Sequence, residues 1–260
     1  MNRIDILFNS KYKNILSVYF TAGFPELNDT VTILNQLQNS GTDMIEIGIP
    51  FSDPLADGPI IQHSNKVALK NGMTLKLLFE QLKNIRKTIS IPLVLMSYLN
   101  PVLQFGIEAF CKKASETGID GIIIPDLPMQ EYIEQYKLTF EKYSLHNIFL
   151  ITPQTSDSRV KLIDENSRGF IYIVSSASIT GAKSEISDSQ KTYFEKIKKM
   201  KLNNPTLIGF GISDNKTFTK ACEYAKGAII GSAFIKAMES ESELNKNINN
   251  FIVKIKNKTA

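Results

Sequence analysis

The chain has 260 residues, a formal charge of +4, 43% hydrophobic and 22% charged residues, the balance of an ordinary globular protein. No apolar run reaches the roughly 18 residues of a membrane span, and "MNRIDILFNSKYKN" has neither a continuous apolar core nor a small-residue cleavage site, so neither a membrane span nor a secretory leader is expected. Lysines such as those of "EKIKKMK" are dispersed without interleaved aromatics, which argues against a nucleic-acid partner; Cys111 and Cys222 stand far apart, which argues against a disulfide framework or zinc knuckle and for a reducing compartment.

Ile4, Leu7 and Phe8 share one helical face, which predicts an amino-terminal helix closing the floor of whatever follows. Next comes the apolar run "ILSVYF". The segment "ELNDTVTILNQLQNSG" then places Val31, Leu34 and Leu37 at helical spacing and stops at Gly41. "MIEIGI" is the second strand-like run. The interval after it, about residues 48 to 91, is nearly twice the usual repeat, and Gly72 divides it, which predicts an extra helix. "PLVLMSY" follows, then a helical "GIEAFCKKASETG" stopping at Gly118, then "GIIIP", "NIFLI", "FIYIV", "TLIGF" and "GAIIG" with helix-length spacers. Most of these runs are continuously apolar, as parallel strands covered on both faces require. Eight such units without a linker predict one α/β domain over 1–260, a (β/α)8 TIM barrel with an N-terminal floor helix and an extra helix after strand 2.

In such a barrel the site gathers where the strands end. Glu46, flanked by Ile45 and Ile47 near the end of the second run, has to point into the barrel mouth, where desolvation raises a carboxyl pKa and suits it to give and take a proton. Asp57, eleven residues on in "SDPLADGP", can fold back over the same mouth, whereas Asp53 before Pro54 reads as a turn former. Glycines recur at the last strand ends, in "TGA" at 180–182, "GFG" at 209–211 and "GSA" at 231–233 with a helix start at Ser232. Backbone N–H groups converging there would hold a phosphate. The loop after "FIYIV", roughly 14 residues, is longer than a βα connection needs, and Ser175 to Ser178 read as loop. His63 and His146 have no partners at metal-ligand spacing and read as surface or capping residues, so no metal is expected.

The run "EIGIPFSDPLADGPIIQ" closely resembles the signature of the tryptophan synthase alpha subunit family. "TAGFP", "YLNPV", "IPDLP", "TGA", "GFGIS" and "GSA" follow in the family's order along essentially the whole chain. The resemblance implies a lyase that cleaves indole-3-glycerol phosphate to indole and glyceraldehyde 3-phosphate in tryptophan biosynthesis. Glu46 would be its acid and base, and Asp57 would hold the indole N–H. Tyr19, Leu99 and Tyr172 would line the indole pocket. Thr180 and Gly181 would belong to a lid, and Gly181, Phe210, Gly211, Gly231 and Ser232 would hold the phosphate. The resemblance further implies no cofactor in this subunit, and a beta subunit carrying pyridoxal phosphate in an alpha2beta2 assembly. Asp53, Pro54, Asn100, Pro101, Asp126 and Pro128 would face that partner. Ser178 departs from the glycine common two before the lid threonine in the family. The resemblance and the scarcity of arginine, four of the thirty basic residues, leave a bacterial cytoplasm or a plastid stroma as the expected home. An autonomous lyase releasing free indole, another phosphate-sugar isomerase on the same barrel, and a non-catalytic regulatory barrel remain alternatives at this point.

Overall fold

The computed structural model describes residues 1–54, 57–175, 187–209, 211–240 and 243–256. The apolar runs form parallel strands β1 (Ile15–Thr21), β2 (Met44–Gly48), β3 (Leu93–Met96), β4 (Gly121–Ile123), β5 (His146–Ile148), β6 (Leu150–Ile151), β7 (Ile171–Val174), β8 (Thr206–Gly209) and β9 (Gly227–Ile230). Their order in one sheet is β5-β4-β3-β2-β1-β9-β8-β7-β6. Nine segments stand where eight were expected, because "NIFLI" is divided at Phe149. β5 pairs with β4, while β6 pairs with β7. The Phe149 carbonyl accepts from Tyr172 N–H at 3.0 Å, so the residue between the two segments already bonds toward β7. The outermost strands of the sheet are thus consecutive in the chain, and the ring closes through Phe149 into the expected (β/α)8 barrel.

Around it run α1 (Arg3–Ser10), α2 (Asp29–Asn39), α3 (Pro59–Lys70), α4 (Leu75–Leu82), α5 (Leu99–Phe105) and α6 (Ile107–Glu116). They are followed by α7 (Met129–Glu131), continuous through a π turn with α8 (Lys137–Lys142), then α9 (Asp157–Asn166), α10 (Asp188–Lys199), α11 (Asn215–Ala221), α12 (Ser232–Met238) and α13 (Leu244–Lys256). The long interval after β2 does hold two helices, α3 and α4, parted at Gly72 with φ +93°. Gly41 and Gly118, also at positive φ, lie just beyond α2 and α6.

Strand side chains alternate between two apolar regions. Ile45, Ile47, Leu95 and Ile173 face outward into the layer under the helices. Ile15, Met44, Val94, Ile123, Ile148, Phe170, Leu207 and Ile229 fill the barrel, and Ile4 of α1, with Leu7 and Phe8 beside it, closes that interior. Burial on both faces, at about 1.5–3 kcal/mol for each large apolar side chain, is why the strands read as continuous apolar runs. The floor helix starts on an Asn2 cap whose side chain accepts from Ile4 N–H, and the Asn2 amide donates to Asp120 O at 2.7 Å. Both orient α1 beneath the strands' amino-terminal ends.

One of the two histidines departs from expectation. His63 is an exposed residue near Glu239, but His146, the first residue of β5, is buried, with Nε2 2.8 Å from Asp5 of α1. A polar ring in a strand start looks like a surface residue until the floor helix is laid over it.

Candidate active site

Glu46 is the one charged residue in the inward row of β2, between Met44 and Gly48, and it is 0% exposed. Pairing of β1 with β2 sets Tyr19 opposite Glu46 and Ser17 opposite Met44. The Ser17 hydroxyl donates to Glu46 Oε1 at 2.9 Å, and Glu46 Oε2 has no hydrogen-bond partner among the described residues. Burial raises the Glu46 pKa from 4.5 to about 8, against a smaller lowering by the Ser17 bond. A carboxyl that is neutral near pH 7, with one oxygen unpartnered, is equipped to donate a proton and take one back.

Two phenols stand beside it. An added Cβ on Gly48 would come within 2.1 Å of the Tyr19 hydroxyl, and one on Gly209 equally close to the Tyr172 hydroxyl, so each ring lies directly across a strand end that only glycine leaves open. Burial, then the nearby acids, hold both phenols above their ordinary pKa, and they stay neutral. The Tyr19 ring also comes within 3.3 Å of a Cβ at Gly231. It therefore stretches from the end of β9 to the end of β2.

Asp57, 8% exposed, closes the group from the loop before α3. Burial raises its pKa to about 6, partly offset by hydrogen bonds from Tyr98 and Asn65. The Asn65 amide is a long donor at 3.4 Å, and its oxygen is buried without a partner among the described residues. Asp57 charge is felt by both Tyr19 and Tyr172, so sequence-distant acids converge on one pair of rings.

At the same end of the barrel, Gly211 has φ +76°, and its Cβ position lies 3.8 Å from Ser175 Oγ. Ser175 is not a loose loop residue: it is buried, and its N–H donates to Gly209 O at 3.2 Å. Gly231 caps α12, which begins at Ser232 with no side-chain cap. Thr180, Gly181 and Phe210 lie outside the described residues, as does Ser178.

The remaining expected positions lie in the loops after β2, β3 and β4. Asp53 is exposed and accepts from the Ser52 hydroxyl, with Pro54 half-buried beside it. Asn100 and Pro101 belong to the first turn of α5, and Asp126 reaches over from the next loop to accept Leu99 N–H at 2.8 Å. Pro128 precedes α7 and is exposed. Leu99 itself is half-buried in α5, past the strand. Met96, at the end of β3 and packed against the barrel interior, was not singled out from the sequence; nor were Ser17, Asn65 and Tyr98. An alternating strand pattern could have flagged Ser17 and Met96, since both share the inward parity of Tyr19 and Glu46. No group of three His, Cys, Asp or Glu able to hold a metal occurs among the described residues.

Comparison with known proteins decides the family. The profile of the family described as "Tryptophan synthase alpha chain" matches residues 7–259. The chain belongs to this family. It is 63% identical over 236 residues to the tryptophan synthase alpha chain of Flavobacterium psychrophilum, covering 91% of this chain and 93% of that one. It is 59% identical to the Flavobacterium johnsoniae alpha chain over 98% of this chain and 100% of that one. Among solved structures, the tryptophan synthase alpha chain of Legionella pneumophila superimposes with a TM-score of 0.88 at 33% identity, over 99% of this chain and 97% of that one. Membership carries the family's reaction in tryptophan biosynthesis, the lyase cleavage of indole-3-glycerol phosphate.

Proposed function

We propose that Glu46 is the acid and base, and Asp57 the anchor of the indole nitrogen, in cleavage of indole-3-glycerol phosphate to indole and glyceraldehyde 3-phosphate. The neutral Glu46 carboxyl protonates C3 of the indole ring from Oε2. Positive charge then spreads to the ring nitrogen, whose N–H donates to the Asp57 carboxylate, a stabilisation that grows as the charge develops. The Glu46 carboxylate next takes the proton from the hydroxyl on the carbon attached to the ring. The oxygen electrons form the aldehyde, the bond from that carbon to C3 breaks, and its electron pair neutralises the ring as indole. Both protons pass through Glu46, which ends as it began.

Tyr19 and Tyr172, neutral and buried, flank the planar substrate and exclude water. The phosphate is held by backbone N–H groups of Gly181, Phe210, Gly211, Gly231 and Ser232, the last being the first residue of α12, which has no side-chain cap. Thr180 belongs to a lid over the bound substrate. The loops carrying Asp53, Pro54, Asn100, Pro101, Asp126 and Pro128 meet a beta subunit holding pyridoxal phosphate, in an alpha2beta2 assembly, and indole passes to it. Leu103, 46% exposed one turn beyond Asn100, adds apolar surface to that face.

The observation that carries the catalytic assignment is the fully buried Glu46 with Oε2 unpartnered. Cleavage of indole-3-glycerol phosphate by the wild type and by Glu46→Gln tests it, and near-normal turnover in the variant overturns it. Copurification with a pyridoxal-phosphate subunit tests the partner. Strong activity of the barrel alone would instead favour an autonomous lyase.

A further inference from the structure

We propose that Ser17 is a positioning residue that assigns the proton of Glu46 to Oε2, the oxygen that faces substrate; the proposal rests on the acid role given to Glu46 above. Ser17 sits on the inward row of β1, one pair below Tyr19, where its hydroxyl reaches diagonally across to β2. The neighbouring inward position on the floor side is Ile15, part of the apolar barrel filling. A serine in such a row is costly unless its hydroxyl is paired. Its partner is Glu46 Oε1, at 2.9 Å, with both residues 0% exposed.

The consequence follows from the donor and acceptor inventory of a neutral carboxyl, which has one carbonyl-type oxygen and one O–H. An oxygen that accepts from Ser17 takes the carbonyl role, so the proton resides on Oε2. Oε2 has no partner among the described residues, so its O–H is free to reach the ring carbon. Without Ser17 the two oxygens become equivalent, and the carboxyl loses the contact that fixes its rotation. The same bond also favours the ionised form, opposing the burial that raises the Glu46 pKa. Other titratable groups around the carboxyl are Tyr19 from β1 and Tyr172 from β7, both of which feel its charge, and Asp57 from the loop before α3, which acts on the same two rings. The Tyr98 hydroxyl, from the loop after β3, serves Asp57.

The test compares wild type, Ser17→Ala, Ser17→Thr and Glu46→Gln in the full chain, measuring kcat and KM for indole-3-glycerol phosphate cleavage against pH. With Ser17→Ala, kcat should fall roughly three- to tenfold while KM stays within about twofold, because Ser17 touches the acid and not the substrate. The alkaline limb, where Glu46 loses its proton, should move up by roughly half to one pH unit. Ser17→Thr, which keeps the hydroxyl, should restore both. Unchanged kcat and limb in Ser17→Ala beside an inactive Glu46→Gln overturn the proposal and leave the role of Glu46 standing. A fall in kcat with no movement of the limb and no rescue by threonine also overturns it, in favour of packing alone. An active Glu46→Gln removes the catalytic reading itself, and with it the role of Ser17. If Ser17→Ala does not stay folded, Ser17→Cys, similar in size with a weaker donor, should show the same shift in smaller measure, and no shift there overturns the proposal.

Discussion

The barrel buries acids at both ends and treats them in opposite ways. At the floor, Asp120 accepts from Arg3 at 2.9 Å, from Arg86, and from Leu93 N–H at 2.9 Å. Asp43, half-buried nearby, accepts from Lys11 at 2.7 Å and from Leu16 N–H at 2.9 Å. At the mouth, Glu46 has one serine hydroxyl and a bare second oxygen, and Asp57 has a phenol and a long amide contact. Among the described residues no cation offsets the burial of Glu46, which pushes its pKa up to about 8. A buried acid with both oxygens hydrogen-bonded is structural, since breaking its pairing costs stability. One left half-satisfied costs the fold energy and is kept for chemistry.

The contrast is most easily broken at Glu46. Glu46→Gln should lower turnover by roughly 10²- to 10⁴-fold, the usual contribution of a positioned acid and base, while the melting temperature stays the same or rises. Steady-state kinetics beside thermal unfolding read both. Asp120→Ala should do the reverse: about 3 kcal/mol of stability lost in urea unfolding, because Arg86 and Leu93 N–H lose their acceptor, with kcat of the folded fraction near wild type. Equal loss of activity in that variant would deny the separation of floor from mouth.

The pH dependence sharpens it further. The proposed mechanism uses Asp57 ionised and Glu46 protonated in the free enzyme, so kcat/KM should rise with a limb near pH 6 and fall with one near pH 8. Stability should carry the same signature. The folded chain holds a Glu46 proton up to about pH 8 that the unfolded chain releases near its ordinary 4.5. That contribution is complete below about 4.5 and is lost as pH rises through about 8. The unfolding free energy of wild type minus that of Glu46→Gln should therefore decline between about pH 5 and pH 9, and a flat difference would mean Glu46 is not perturbed. The smallest effect is expected from His146→Gln, which removes the contact with Asp5 for about 1 kcal/mol and leaves both kinetic limbs in place.

Much of this was legible in the chain before folding was considered. The strand runs were visible because a parallel strand covered on both faces has to be apolar throughout, and Glu46 stood out because it breaks such a run. The helix stops at Gly41 and Gly118 announced themselves by a residue that accepts positive φ. Strand five misled, because a change of hydrogen-bonding partner at Phe149 leaves no mark on an unbroken apolar run. The tasks of Ser17 and Asn65, as distinct from the inward parity of Ser17, were hidden for a related reason. Each is an ordinary residue within its own element, and only its neighbour across 29 or 8 positions gives it a task.

The sequence by itself determined the parallel barrel, its floor helix, the doubled helix after β2 and the identity of the two mouth acids, because periodicity, glycine placement and a charge in an apolar run are local properties. Only the tertiary structure decided which oxygen of Glu46 is occupied, which phenols lie across Gly48 and Gly209, and that His146 is buried under α1. Those depend on strand register and on what packs over each strand end, and register is a relation between segments that no single segment encodes.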